Sequence, residues 1–257
     1  MSRIAAMPRV AALVLMTTAI ASPALAFDPK AMSDDEKAGF GEAVRSYLLE
    51  NPEVLLEAMQ VYEQRQQAAQ SDNDRVLVQT NKDEIFSDGY SWVGGNPEGD
   101  LTMVEFIDYR CTYCRKAFNE VNALVKKDGN IRYILKEFPI LGEESVLASR
   151  FAIAMQQIAG PEVYKKVHDE LMTMRGAMTL ETMRRIATDL GQDPDAVTKR
   201  MNEESVTAVI RKNAQLAERM RIQGTPTFVV GPVMLRGYLP ENEMAKAVAD
   251  ARKEAKG

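Results

Sequence analysis

The stretch from Leu101 to Leu135 constrains the fold more tightly than any other part of the chain. Leu101 to Ile107 is a mostly apolar run of strand length, the pattern of a strand covered on both faces. Cys111 follows almost at once. Ala117, Phe118, Val121, Leu124 and Val125 then fall on one face of a helix that should end near Asp128-Gly129-Asn130. Ile131 to Leu135 reads as a second strand. Strand, helix and strand in so short a span make a βαβ unit, with parallel strands and a right-handed crossover.

The remaining signals build outward from that unit. Tyr90 to Val93 reads as a short strand and Gly94-Gly95-Asn96-Pro97 as a turn. Glu143 to Met220 looks helical throughout, interrupted at Gly160-Pro161, Arg175-Gly176 and Gly191-Gln192-Asp193-Pro194. Thr227 to Val230 and Val233 to Arg236 suit a hairpin around Gly231-Pro232, and Glu241 to Lys253 a closing helix. The expected architecture is therefore a small α/β domain split by a helical insertion at about 143–220. Ahead of it, Ser33 with Glu36 forms a capping-box pair, and Phe40, Val44, Tyr47 and Leu48 share a helix face. Asn51-Pro52-Glu53 restarts the helix, with Asn as cap, Pro at the first position and Glu at the positive end. Leu55, Met59 and Tyr62 continue an apolar stripe that needs a partner. It could fold back on its own domain or meet another copy.

Met1 to Ala26 is a different substance. Arg3 and Arg9 precede an apolar run from Val10 to Ile20, and Ala24-Leu25-Ala26 closes the segment. That order is a secretory signal peptide, with the mature chain expected from Phe27. The expected domains are thus 1–26 leader, 27–84 helical arm and linker, and 85–257 the α/β domain. The chain carries a net charge of −5, and removing Arg3 and Arg9 makes it more negative. A general nucleic-acid binder would be basic, so that class recedes. An exported soluble chain in a cell with two membranes resides in the periplasm.

The chain has two cysteines, Cys111 and Cys114. Exported cysteines normally form disulfides, but a bridge three residues long closes almost no chain and stabilises little. Zinc would need two more ligands, and the only histidine is His168. Redox chemistry fits better. A cysteine at a helix N-terminus meets unpaired N–H groups and the positive end of the dipole, which lower its pKa. Arg110, Arg115 and Lys116 add positive charge there, partly opposed by Asp108. One turn on, Cys114 can attack a mixed disulfide formed on Cys111. Pro226, in Gly224-Thr225-Pro226-Thr227, is either a neutral strand-start device or a cis-proline presenting its neighbour's backbone to a peptide.

Several features occur together in one order. They are Cys111-x-x-Cys114, Glu105 six residues earlier, Lys136-Glu137-Phe138-Pro139-Ile140, the helical insertion and Gly224-Thr225-Pro226-Thr227-Phe228. That order resembles the DsbA family of exported thioredoxin-fold proteins from about Tyr90 onward. Tyr47-Leu48-Leu49-Glu50-Asn51-Pro52-Glu53-Val54 further resembles its ScsC-like branch, in which some members oligomerise through an N-terminal helical segment. The resemblance implies a thioredoxin fold preceded by a helical oligomerisation arm, dimeric or trimeric, and a redox disulfide in place of any cofactor or metal. It implies that Cys111 is the exposed nucleophile, Cys114 the buried resolving cysteine, Glu105 the buried acid and Lys136 its charged partner. Pro226 matches the cis-proline, and Thr225 the residue that contacts substrate backbone. Glu105 could take the Cys114 proton or merely pair with Lys136.

The strongly oxidising members resemble Cys-Pro-His-Cys with valine before the cis-proline. Here Thr112 and Tyr113 fill the dipeptide, and Tyr113 and Thr225 are similar to exported disulfide isomerases. Without histidine in the motif, one stabiliser of the thiolate is missing, so isomerase or reductase direction is expected over net oxidation. Partners implied are unfolded or misoxidised exported proteins and a membrane electron-donor protein. The rival reading is a non-catalytic oligomeric chaperone or copper-binding protein. Met172, Met174, Met178 and Met183 cluster around one turn, by default as packing, otherwise as an adaptable peptide surface or Cu(I) ligands. His168 is expected on a helix surface and Trp92 half-buried in a strand.

Overall fold

The computed structural model describes residues 32–256, so the leader expected over Met1–Ala26 lies outside the described residues. The chain divides into two compact units, one through Val61 and one from Tyr62 onward. In the first unit, α1 (Asp34–Glu50) starts from the Ser33–Glu36 capping box and buries none of its residues. Asn51 behaves differently from expectation. Its backbone and side-chain N–H groups both donate to Tyr47 O at 2.9 Å, so it closes α1 rather than capping the next helix. That helix, α2 (Glu53–Thr80), begins beyond Pro52 and runs past Val61. None of the described helices is long and apolar enough to cross a membrane.

The second unit is an α/β domain. After the end of α2 come α3 (Lys82–Phe86), β1 (Trp92–Gly95), β2 (Leu101–Ile107), α4 (Thr112–Asp128) and β3 (Ile131–Glu137). Five helices follow: α5 (Glu143–Ala159), α6 (Pro161–Thr173), α7 (Leu180–Asp189), α8 (Pro194–Met201) and α9 (Glu204–Arg219). The chain closes with β4 (Thr227–Val230), β5 (Val233–Arg236) and α10 (Glu241–Lys256). The sheet order is β1-β3-β2-β4-β5. Strands β2 and β3 are parallel, and every other pairing is antiparallel. This is the thioredoxin-like fold that the sequence implied, with a helical insertion between β3 and β4.

Each strand sends alternate side chains to opposite faces. On one face Met103, Ile107, Tyr133 and Leu135 pack with α4, α10 and the insertion. On the other Val104, Phe106 and Ile134 pack with Val78 of α2, Ile85 of α3 and Leu216, Ala217 and Met220 near the end of α9. The sheet is covered on both faces, as the uninterrupted apolar run of β2 requires.

Three details depart from expectation for reasons of packing, and a fourth, the methionine cluster, follows its default reading. Gly94 and Gly95 lie within β1 rather than in a turn. A Cβ on Gly94 would fall within 1.9 Å of the Trp92 ring, and Gly95 adopts φ +67°. Trp92 is buried rather than half-buried, its indole N–H donating to Pro161 O and its ring stacked on Tyr164. The helical stretch breaks at Asn202-Glu203 without glycine or proline. Met201 and Val206, on either side, both enter the core, although on one continuous helix they would lie about 140° apart. Met172, Met178 and Met183 are core residues and Met174 packs against them, the plain packing arrangement.

Candidate functional site

Helix α4 begins where β2 ends, and Cys111 is its N-cap. The Cys111 sulfur accepts from Cys114 N at 3.4 Å, a place usually taken by a serine or aspartate oxygen. No acid occupies the first turn. At the far end Lys126, Lys127 and the left-handed Gly129 suit the negative end of the dipole. Both cysteines are free thiols. Hydrogen bonding from the Cys114 thiol lowers the Cys111 pKa most. Burial opposes it, and Thr225 and the backbone N–H groups of Cys114 and Tyr113 lower it further, to about 5. Cys114 moves the other way, because burial pushes its thiol far above the ordinary range. The two sulfurs are pushed in opposite directions, Cys111 toward the thiolate and Cys114 toward the thiol.

The basic side chains expected to lower Cys111 are otherwise engaged. Arg115 donates to Tyr109 O, Met174 O and Leu171 O, fastening the active-site turn to the insertion. Arg110 pairs with Glu144 at 3.4 Å. Asp108 is buried and accepts from Arg110 N, Ile140 N, Leu141 N and the Ser145 hydroxyl. It holds the loop after β3 against the turn before Cys111.

Across the site stands the turn before β4. The Thr225–Pro226 peptide bond is cis, and the Cys111 sulfur lies 3.0 Å from Thr225 O, to which it donates as a thiol. That carbonyl partly roofs Cys111, which is only 6% exposed. The sulfur is therefore less open than the resemblance implied, and an incoming disulfide must take the place of this contact. Thr112 and Tyr113, in the dipeptide between the cysteines, face solvent.

Glu105 and Lys136 are not partners. In the β2–β3 register Glu105 lies opposite Leu135, whereas Lys136 lies opposite Phe106, so the two side chains leave opposite faces of the sheet. Lys136 is buried on the face away from α4, bonded to Asp88, Glu84 O and Ser91. Burial draws its pKa down against the pull of Asp88. Glu105 points to the cysteine face and accepts from the Tyr133 hydroxyl. Burial pushes its carboxyl up to about 8, the Tyr133 bond opposing and negative charge on Cys111 adding to the rise. Of the expected proton-handling pair, one member is at the site.

Sequence reasoning missed a second buried carboxyl, Glu137, at the end of β3. It accepts from Tyr109 and Tyr164, each at 2.7 Å, and from Ser149 at 2.6 Å. Burial raises it to about 7. His168 belongs to this cluster, stacked on Tyr164 and 3.4 Å from the Tyr109 hydroxyl, and is 2% exposed rather than on a helix surface. Burial lowers its pKa to about 3, leaving it neutral. The available signal was parity: Tyr133, Leu135 and Glu137 must share one face of β3. Among the described residues no group of three His, Cys, Asp or Glu could hold a metal ion.

Comparison with known proteins agrees with this geometry. Residues 102–249 match the DSBA-like thioredoxin domain, and residues 36–69 match the Copper resistance protein ScsC N-terminal domain. A thioredoxin-like oxidoreductase from Silicibacter pomeroyi DSS-3 is 41% identical with a TM-score of 0.63, over 67% of this chain and 98% of that one. Salmonella enterica Typhimurium BcfH is 29% identical with a TM-score of 0.70, over 84% of this chain and 96% of that one. Among curated relatives, Disulfide bond formation protein D of Bacillus subtilis is 23% identical, over 63% of this chain and 76% of its own length. The match to Na(+)/H(+) antiporter NhaA 3 of Salinispora tropica, 26% identical over 62% of this chain, spans only 24% of that protein. A family match over more than half of the sequence, carried on the same fold, makes this chain a member of the DSBA-like thioredoxin-domain family.

Proposed function

We propose that the protein is an exported thiol-disulfide oxidoreductase that acts on protein disulfides, in the isomerase or reductase direction. The observation that carries this reading is the Cys111 sulfur itself. It caps α4 at 3.4 Å from Cys114 N and lies 3.0 Å from Thr225 O beside the cis-proline. The Cys111 thiolate attacks one sulfur of a substrate disulfide, forming a mixed disulfide and releasing the other sulfur as a thiolate. Thr225-Pro226 aligns the polypeptide. Cys114 then attacks Cys111, freeing the substrate thiol and leaving the Cys111–Cys114 disulfide.

Glu105 is the base in the second step. Cys114 cannot attack while it holds its proton, and its pKa lies far above neutral. Once Cys111 is bonded to substrate it carries no charge, so one of the influences that raise Glu105 is gone. The carboxyl then ionises more readily at the stage where Cys114 must lose a proton. Lys136, on the other face, holds Asp88 and takes no part in this transfer.

The direction is supported by the absence of histidine between the cysteines and by threonine before Pro226. A membrane reductase then keeps the pair reduced in the periplasm. The arm is the oligomerisation element: Tyr47, Leu49, Leu55 and Leu56 expose half or more of their surface, an unusual density of exposed apolar residues.

Refolding of scrambled ribonuclease tests the reading. Cys111→Ala should abolish the rescue, a loss of about a thousandfold or more. Equal rescue by that variant would make the protein a chaperone instead. A couple as oxidising as the strongest exported oxidants would reverse the direction. Deleting residues 27–73 should give a monomer by light scattering.

A further inference from the structure

We infer that Tyr238 is a specificity-determining residue: with Tyr113 it forms an aromatic shelf that receives an aromatic or large apolar side chain next to the substrate's cysteine. This rests on the reading that Cys111 attacks a disulfide in a polypeptide.

Tyr113 is 60% exposed and adjoins the reactive turn. Its ring stacks on Tyr238, with centroids 6.3 Å apart and planes at 27°. Tyr238 comes from the turn between β5 and α10, and three contacts fix it. Its hydroxyl donates to Glu120 Oε1 at 2.8 Å and Oε2 at 3.0 Å. The Lys116 ammonium stands 4.1 Å from its ring centroid. The preceding residue, Gly237, donates its N–H to Pro226 O at 2.9 Å.

Two anchors are therefore shared by the shelf and the sulfur. Tyr113, Lys116 and Glu120 follow one another at i, i+3 and i+7 along one face of α4, the helix that Cys111 caps. The Pro226 turn holds Gly237 on one side and presents Thr225 O to Cys111 on the other. Tyr113 joins neither hydrophobic cluster, so its ring is not placed there for core packing. Lys116 and Glu120 carry opposite charges, so the shelf favours no charged side chain. A residue adjoining a cysteine bonded to Cys111 lies only about 4 Å along the chain from it. Rings there stack favourably at centroid separations of about 4.5–7 Å, worth roughly a few-fold to tenfold in affinity.

The test uses the reduced full-length protein and two peptides, each a mixed disulfide with 5-thio-2-nitrobenzoate. One peptide has its cysteine flanked by tryptophan, the other by glycine. The Cys111 thiolate bonds to the peptide sulfur, and the nitrobenzoate leaves as a yellow thiolate. Single-turnover rates against peptide concentration give a half-saturation concentration and a limiting rate. The wild-type protein should saturate with the tryptophan peptide at roughly five- to tenfold lower concentration. In Tyr238→Ala and in Tyr113→Ser that ratio should fall to about one through half-saturation, while Tyr238→Phe keeps it. A ratio unchanged in both shelf variants, or equal losses for the two peptides, overturns the shelf. If Cys111→Ser releases the chromophore as fast as wild type, the exchange reading fails instead.

Discussion

Helices α1 and α4 are both 17 residues long, and each begins on a side chain that accepts from its own first turn. Beyond that they are opposites. In α1 the acceptor is the Ser33 hydroxyl, Glu36 answers by accepting from Ser33 N at 2.8 Å, and Asp34, Asp35 and Glu36 fill the positive end. Its first turn is satisfied at every position, yet the helix buries nothing. In α4 the acceptor is a sulfur and the first turn has no acid, but Cys114, Ala117, Val121 and Leu124 are buried. Tertiary packing stabilises α4, which frees its N-terminus to hold a thiolate where a carboxylate would serve stability better. A helix start under local conflict marks the reactive end, and a fully satisfied one marks the scaffold.

The contrast is broken most directly by titrating Cys111. Thiolate absorbance of the reduced protein should show a midpoint near 5, against 9.0 for an ordinary cysteine. The folded pKa is lowered, so the reduced fold should gain stability as pH rises from about 5 toward 9. It should lose that stability as pH falls through 5. Urea melts of the wild type and Cys111→Ser should differ in this slope, and identical slopes would remove the special character of α4's first turn.

Packing is the next largest difference. Leu124→Ala should cost about 2–5 kcal/mol in a urea melt. Leu49→Ala, at a position 68% exposed, should change the melt by no more than about 0.5 kcal/mol while weakening association in sedimentation. A large intrachain cost at Leu49 would show that α1 is not the solvated element described above.

Glu105→Gln keeps the shape and removes the base. Release of a trapped mixed disulfide by Cys114 should slow about tenfold at pH 8 to 9, with the Cys111 titration nearly unmoved. Unaltered release would leave Glu105 a structural partner of Tyr133. A local effect completes the contrast: Ser33→Ala should cost α1 about 1 kcal/mol, read as faster amide exchange over 34–50 with exchange chemistry intact.

Much of this architecture is legible in the order of residues. The bounds of β2, β4 and β5 follow from short apolar runs between turn residues, and those of α4 from its apolar face and Gly129. These signals are local, so neighbouring residues suffice to fix them. The burial of His168 and Trp92 is not legible in that way, because it depends on which helices of the insertion close over them. The expected pairing of Lys136 with Glu105 fails because the face a strand residue takes depends on register. Glu105 pairs with Leu135 and Lys136 with Phe106, and residues one register step apart point to opposite faces, which spacing along the chain does not reveal.

The sequence alone settled the βαβ unit and closing hairpin, the position of Cys111 at a helix start and the kind of chemistry a thiol there can do, because helix periodicity and end effects act over a few residues. Only the tertiary structure decided what surrounds that sulfur. Thr225 lies 114 residues away along the chain, and Tyr133 reaches Glu105 from the adjacent strand. Contacts of that kind exist only once the sheet has chosen its register and the cis-proline turn has closed over the head of α4.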